Sequence, residues 1–293
     1  MSDKKIIIPL PNKGFDPSEV AIPWQLLRQY GFSVFFATPD GKAASADPMM
    51  LSGEGLDFWG WLPVIKKIRF IGLLLRANKT ARLAHQSLVN DSNFQNPCSY
   101  AQLSIEKYDG LLLPGGHAQD VKPYLEDKTL QLFVAAFFED KSFNDNQHKP
   151  IAAVCHGVLV AARSRSSSTK KSVLYGKKTT ALTWALENSA WSLTKYFARF
   201  WDKNYYRTYM ESNNEPKGFW SVEQEIKRLL ENEYDFLDVP KSERNYVIKT
   251  SGVFRDSTNN AKPAWVVQDG NYLSARWPGD IHTMTLKFIK QFD

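Results

Sequence analysis

Ile151-Ala152-Ala153-Val154-Cys155-His156-Gly157 is the stretch on which the reading turns. Residues 151–154 are a short, small, apolar run of the kind that forms a buried parallel strand. Cys155 breaks the run, and the spacing predicts a helix from about Gly157 to Arg163. A small residue, a spacer, a nucleophile, a spacer and a glycine between strand and helix is the nucleophile-elbow pattern. The turn is tight, so its flanks must be small, and Ala153 and Gly157 meet that need. The apex side chain then projects into a cleft. The new helix places positive dipole and free N–H groups beneath it, which favours thiolate, the reactive form of cysteine. The His156 N–H is placed to help form an oxyanion hole, and its ring to carry a proton. The competing reading is a buried structural cysteine in a core strand.

Working outward, the same alternation recurs. Ile6-Ile7-Ile8-Pro9-Leu10 reads as a buried strand, followed by a helix capped by Ser18 with Val20, Trp24, Leu26 and Leu27 on its apolar face. Gly31 ends that helix, and residues 32–37 read as a second strand. Residues 108–113 form another, which stops at Pro114-Gly115-Gly116-His117. A helix fits 121–140. Residues 264–267 and 272–275 flank Asp269-Gly270, a hairpin signal, and a last helix starts near Ile281. The sum is an α/β fold, a doubly wound, mostly parallel sheet of the flavodoxin-like sandwich type. Residues 1–293 read as one domain with insertions at about 40–100, lid-like, and 186–245, the latter with an amphipathic helix near 221–233. Ligands bind such sheets at the carboxyl ends of the strands, where Cys155 and Gly115-Gly116 fall.

Composition narrows the classes. The chain has 293 residues, 43% hydrophobic and 13% aromatic, which argues against disorder. Its net charge of +6 is scattered, and no basic run alternates with stacking aromatics, so no nucleic-acid partner is expected. Two cysteines, Cys98 and Cys155, make no disulfide framework. The N-terminal apolar run is too short for a signal peptide. Phe70 to Leu75 is apolar but bounded by Arg69 and Arg76, far short of the ~20 residues of a membrane span. A cytoplasmic protein without a membrane partner is expected, although 62–76 could lie on a membrane or bind another protein. No motif calls for a metal, nucleotide or flavin; Gly115-Gly116 lacks the Lys-Ser/Thr of a P-loop.

Two further segments bear on Cys155. Gly115-Gly116 leaves backbone N–H groups free for an oxyanion or carboxylate, with His117 beside them. Glu19 starts the first helix just past a strand end, where its carboxyl can share a proton with the cysteine. Together with the terminal hairpin Val267 to Leu273 and Thr180-Ala181-Leu182-Thr183, these segments resemble the ThiJ/PfpI superfamily, which holds the parkinsonism-associated protein, chaperone-glyoxalases and intracellular-protease-like members. The resemblance covers the core strands and not the insertions. It implies Cys155 as nucleophile, Glu19 as its carboxylate partner, and the amides of Gly116 and His156 as the oxyanion hole. It leaves an acidic third member unassigned, with Glu54 as a candidate. Arg276 is a candidate for binding a substrate carboxylate; Asp280 reads as the cap of the last helix, with His282 in its first turn.

The activity implied is cofactor-free conversion of small 2-oxoaldehydes to hydroxy acids. One alternative is an amide or peptide hydrolase using the same cysteine, although the distal His-x-Glu of glutaminase domains is absent, since Thr283 and Met284 follow His282. Another is a non-enzymatic oxidant sensor or chaperone. A homodimer is suggested by the resemblance.

Overall fold

The computed structural model describes residues 4–143 and 147–293; the first three residues of the N-terminal stretch lie outside it. The strands are β1 (Lys5–Pro9), β2 (Lys13–Phe15), β3 (Ser33–Thr38), β4 (Ser45–Ala46), β5 (Cys98–Ser99), β6 (Gly110–Leu113), β7 (Ile151–Val154), β8 (Val266–Asp269) and β9 (Tyr272–Ala275). Seven of them form one sheet in the order β5-β3-β1-β6-β7-β9-β8. All neighbours run parallel except the hairpin β8–β9. β2 and β4 pair in a small parallel ribbon.

The strands are short and apolar on both faces because helices cover both. Ile6 and Ile8 of β1 pack on one side and Ile7 on the other; Leu112 is likewise opposed to Leu111 and Leu113. The first side carries the helices Pro17–Gln29, Lys79–Leu88 and Ile281–Ile289, the second Lys128–Glu139 and Gly157–Arg163. The molecule is therefore the doubly wound α/β sandwich expected.

Several local expectations are corrected. The first helix is capped by Asp16, whose carboxylate accepts from the N–H groups of Ser18 (2.7 Å) and Glu19 (3.2 Å); Pro17 at the first helical position has no N–H to satisfy. The stretch 121–140 is two helices, Lys122–Glu126 and Lys128–Glu139, because Asp127 turns out of the first to cap the second. The amphipathic helix near 221–233 is only Val222–Lys227. Asp280 stands before the last helix but its carboxylate is taken by Arg276 and the Trp265 N–H. Asp256 does the capping instead, accepting from the N–H groups of His282 and Thr283 and from His282 Nδ1.

The segment 40–100 divides. The helix Lys79–Leu88 packs on Pro17–Gln29, and β5 extends the sheet beside β3. Residues between β4 and that helix, including the short helices Pro48–Ser52 and Ile71–Leu75, stand over the strand ends. No helix among the described residues is long and apolar enough to cross a membrane.

Candidate active site

Cys155 has φ +57°, a left-handed backbone that side chains rarely adopt. Two bonds hold it there. Its N–H donates to Ala275 O of β9 (3.1 Å), and its carbonyl accepts from the Val158 N–H (3.3 Å) as the helix begins. Strain held by surrounding structure is a usual mark of a functional residue. Both cysteines are free.

Glycine lets the partners come close. A Cβ on Gly115 would lie 3.1 Å from Cys155 Cβ, 3.1 Å from Glu19 Oε2 and 2.7 Å from the His156 N, so no side chain fits between these three residues. The Gly115 N–H donates to Glu19 Oε2 (2.7 Å). That amide is thus engaged with Glu19 and not turned to an oxyanion. Gly116 and His117 line the same cleft as Cys155.

Glu19 is fully buried, and burial raises its pKa well above the carboxylate range, with the nearby Asp16 charge adding to the effect. Burial also pushes the Cys155 thiol up, followed by repulsion from Glu19 and Asp16; the His156 N–H pulls the other way. The expectation that the helix start alone yields a thiolate is therefore not met. Two acids side by side in a dry site ionise one at a time, so the protonated carboxyl and the sulfur anion form one workable pairing.

His156 lies against the thiol. Its Nδ1 lies 3.4 Å from Cys155 Sγ and its Nε2 3.0 Å from Thr208 Oγ1. The Thr208 hydroxyl donates to His117 O (2.8 Å). It has one proton, spent on a carbonyl that can only accept, so toward His156 it accepts, and Nε2 carries the hydrogen. Burial first, then the positive neighbours His117, Arg163 and Arg207, lowers the ring pKa to about 3. A neutral ring with Nε2–H presents the Nδ1 lone pair to sulfur, and its low pKa suits it to pass a proton on and not to hold one.

Thr208 comes from the second inserted segment. Beside it Arg207 is fully buried, its Nε 3.0 Å from Glu187 Oε1 and its Nη2 2.5 Å from Glu211 Oε1, with the rings of Trp184 and Trp191 against its guanidinium. The two inserted segments also lock to each other. The Tyr205 hydroxyl donates to Asp47 Oδ2 (2.7 Å), and the Arg199 guanidinium to Gly55 O (3.0 Å); His117, from the turn after β6, stacks on Tyr206 with centroids 4.1 Å apart.

Among the described residues, the cleft beside Cys155 encloses about 110 Å³. Leu74 and Leu75 of the first inserted segment form part of its wall, with Leu186 of the second and Trp277 after β9. Arg255 also lines it, held by long contacts to Ser18 Oγ (3.4 Å) and the Leu75 and Arg76 carbonyls, with Trp277 at its side. Its neighbouring charges include Asp16 and Glu19.

Sequence reasoning brought together Glu19, Cys155, His156, Gly116 and His117 in one place; it missed Thr208, Asp16 and Arg255. Glu54 sits in the turn after Pro48–Ser52, its N–H bonded to Ser52 Oγ, and is not among the cleft-lining residues. Arg276 is fully buried in its ion pair with Asp280 (2.8 Å) and in bonds to the Lys249 and Pro263 carbonyls, so it is a structural residue away from the cleft. Among the described residues no group of three or more His, Cys, Asp or Glu is arranged to hold a metal.

DJ-1 homolog D of Arabidopsis thaliana is 25% identical over 177 residues, 60% of this chain and 36% of that protein. An uncharacterized Schizosaccharomyces pombe protein is 30% identical over 135 residues, 45% of each chain. The matches thus span less than half the length of these relatives. The crystal structure of glyoxalase III from Candida albicans superposes with a TM-score of 0.58 at 14% identity, covering 99% of this chain and 98% of that one. Rapid Encystment Protein 24 kDa of Francisella tularensis gives 0.59 at 11%, covering 99% of each chain. At such identities these two show a shared fold. The ThiJ/PfpI family-like model matches residues 10–224, most of the chain, and the protein belongs to the ThiJ/PfpI family.

Proposed function

We propose that this protein converts small 2-oxoaldehydes to 2-hydroxy acids with Cys155 as nucleophile and no bound cofactor. The observation that carries the reading is the Thr208–His156–Cys155 chain, which directs a neutral Nδ1 at the thiol. In this reading sulfur attacks the aldehyde carbon as its proton leaves through His156 Nδ1, a ring whose low pKa makes it a transient carrier that passes the proton to the second carbonyl oxygen. The new oxygen is held by the amides of His156 and Gly116 and protonated by the Glu19 carboxyl. Glu19, now a carboxylate, removes the carbon-bound proton, returns it to the neighbouring carbon and takes back the proton of the first oxygen, giving the thioester of a 2-hydroxy acid with the Glu19 carboxyl restored. Water then cleaves the thioester, releases the acid and restores the thiol. The net change is addition of one water, with no external oxidant or reductant. Arg255 holds the second carbonyl oxygen and then the product carboxylate.

Size supports a small substrate. The cleft's space of about 110 Å³ is smaller than the ~150 Å³ cavity that admits benzene and has room for a three-carbon aldehyde. A thiol only 6% exposed is poorly placed for sensing of oxidants in solution. One solved neighbour in fold is a glyoxalase III. The test is consumption of methylglyoxal without glutathione. Cys155→Ala is expected to lose at least about a thousandfold; consumption equal to the unmodified protein overturns the reading.

A further inference from the structure

Residues 57–72 form a loop whose neck is pinned. Asp57 accepts from the N–H groups of Phe70 (2.9 Å), Ile71 (2.7 Å) and Gly72 (3.1 Å), and is itself only 2% exposed. The Arg69 guanidinium donates to Ser52 O (2.6 Å), and the Trp59 indole N–H closes the loop on Ile68 O (2.7 Å). The backbone is therefore held while apolar side chains from neck to tip turn outward: Val64 is 87% exposed, Phe70 68%, Phe58 60% and Trp61 57%. A folded chain exposes single apolar residues often, but a contiguous cluster of large ones marks a contact surface.

Charge identifies the partner. From Phe58 to Asn90 the chain has no Asp or Glu but carries Lys66, Lys67, Arg69, Arg76, Lys79 and Arg82. Lys66 and Lys67 are exposed beside the apolar tip. Two nearby acids are engaged elsewhere: Asp57 on the neck, and Asp202 on Arg199 (2.9 Å). Aromatic and aliphatic side chains next to unpaired lysines, on a rigid projecting loop, suit the headgroup–acyl boundary of an anionic bilayer. A protein partner of acidic character would have to bury Val64 and Trp61 while leaving the lysines paired across a wet rim; a lipid surface satisfies both at one depth. We propose that the 57–72 loop docks this protein on anionic membrane surfaces by shallow insertion of Phe58, Trp61 and Val64, steered by Lys66 and Lys67. Because Leu74 and Leu75 follow directly and wall the catalytic cleft, the docked protein would present that cleft close to the bilayer.

The experiment uses the full chain and vesicles of phosphatidylcholine with and without about one third phosphatidylserine. Sedimentation with the vesicles is expected only when the anionic lipid is present and is weakened by salt, with a blue shift of tryptophan fluorescence. Lys66→Gln/Lys67→Gln should lower the partition coefficient about tenfold, since each cation near such a surface contributes several-fold. Trp61→Ser and Val64→Glu, both at exposed positions, should lower it comparably with the lysines kept, and unfolding midpoints within experimental error of the unmodified protein establish that the fold is intact. Equal partitioning onto both vesicles, no partitioning, or unchanged partitioning of the variants overturns the proposal. So does a concentration-dependent dimer that Trp61→Ser dissociates, which would assign the tip to a second copy.

Discussion

The strand ends and the inserted segments build the same cleft by different means. At the strand ends, backbone decides the geometry. Cys155 is fixed by its own amide and carbonyl, Glu19 by the Gly115 N–H, and the approach between them by a missing Cβ. Over the cleft, side chains from distant parts of the chain decide. Thr208 sets the His156 tautomer, Tyr205 ties one segment to Asp47 of the other, and Leu74, Leu75 and Leu186 set the space. The candidate reacting groups thus sit at the strand ends, and their protonation state and reach are governed by side chains of the two inserted segments.

The sharpest way to break that division is Glu19→Gln. The amide keeps an oxygen to accept the Gly115 N–H but cannot exchange a proton. A loss of about 10²–10⁴ in kcat is expected for methylglyoxal conversion, with little change in the unfolding midpoint. If kcat holds, the carboxyl is a structural acceptor only.

Next in size is a pH effect seated in the inserted segment. Burial, opposed by Arg207, raises Glu187 from 4.5 to about 7. The folded carboxyl therefore holds its proton more tightly than the unfolded chain does. The stability this contributes is full below pH 4.5 and is lost as pH rises through 7. Glu187→Gln removes the titration. Urea unfolding should find the variant gaining roughly 3 kcal/mol relative to the unmodified protein between pH 4 and pH 8, from the 1.36 kcal/mol that accompanies each pKa unit. A gap independent of pH would mean that Arg207 keeps the carboxylate charged.

The smallest effect expected is that of Thr208→Val, which preserves shape and removes the hydroxyl. His156 is then free to change tautomer, and about tenfold should be lost from kcat, in line with a buried donor left unmade. Nitrogen chemical shifts of the His156 ring should move the hydrogen away from Nε2. An unaltered tautomer would assign its control to another group.

The same division explains what the sequence could reveal. The elbow and the glycine pair are local patterns whose spacing carries their geometry, so 151–157 and 113–117 pointed to the strand ends without further knowledge. Glu19 was legible because a helix start fixes where its first turn points. Thr208 carries no comparable signal: a threonine after an arginine in an aromatic-rich stretch acquires meaning only when 52 residues of separation close onto His156. Arg276 misled for the opposite reason. Its position after the hairpin suggests the cleft, but Asp280 four residues on captures the guanidinium in the interior. The helix caps show the same limit, since Ser18 and Asp280 were plausible caps that lost to Asp16 and Asp256 through competition for hydrogen bonds.

The bond from the Cys155 N–H to Ala275 O also sets a timetable. The strand that presents the cysteine pairs on one side with β6, made before it, and on the other with β9, about 120 residues later. At the ~5–20 residues per second of synthesis, that leaves on the order of ten seconds in which the elbow lacks the acceptor that helps hold its left-handed turn. The thiol thus reaches its strained, shielded position only once β9 has been made and paired, so the geometry of the elbow reports that the sheet has closed across those residues.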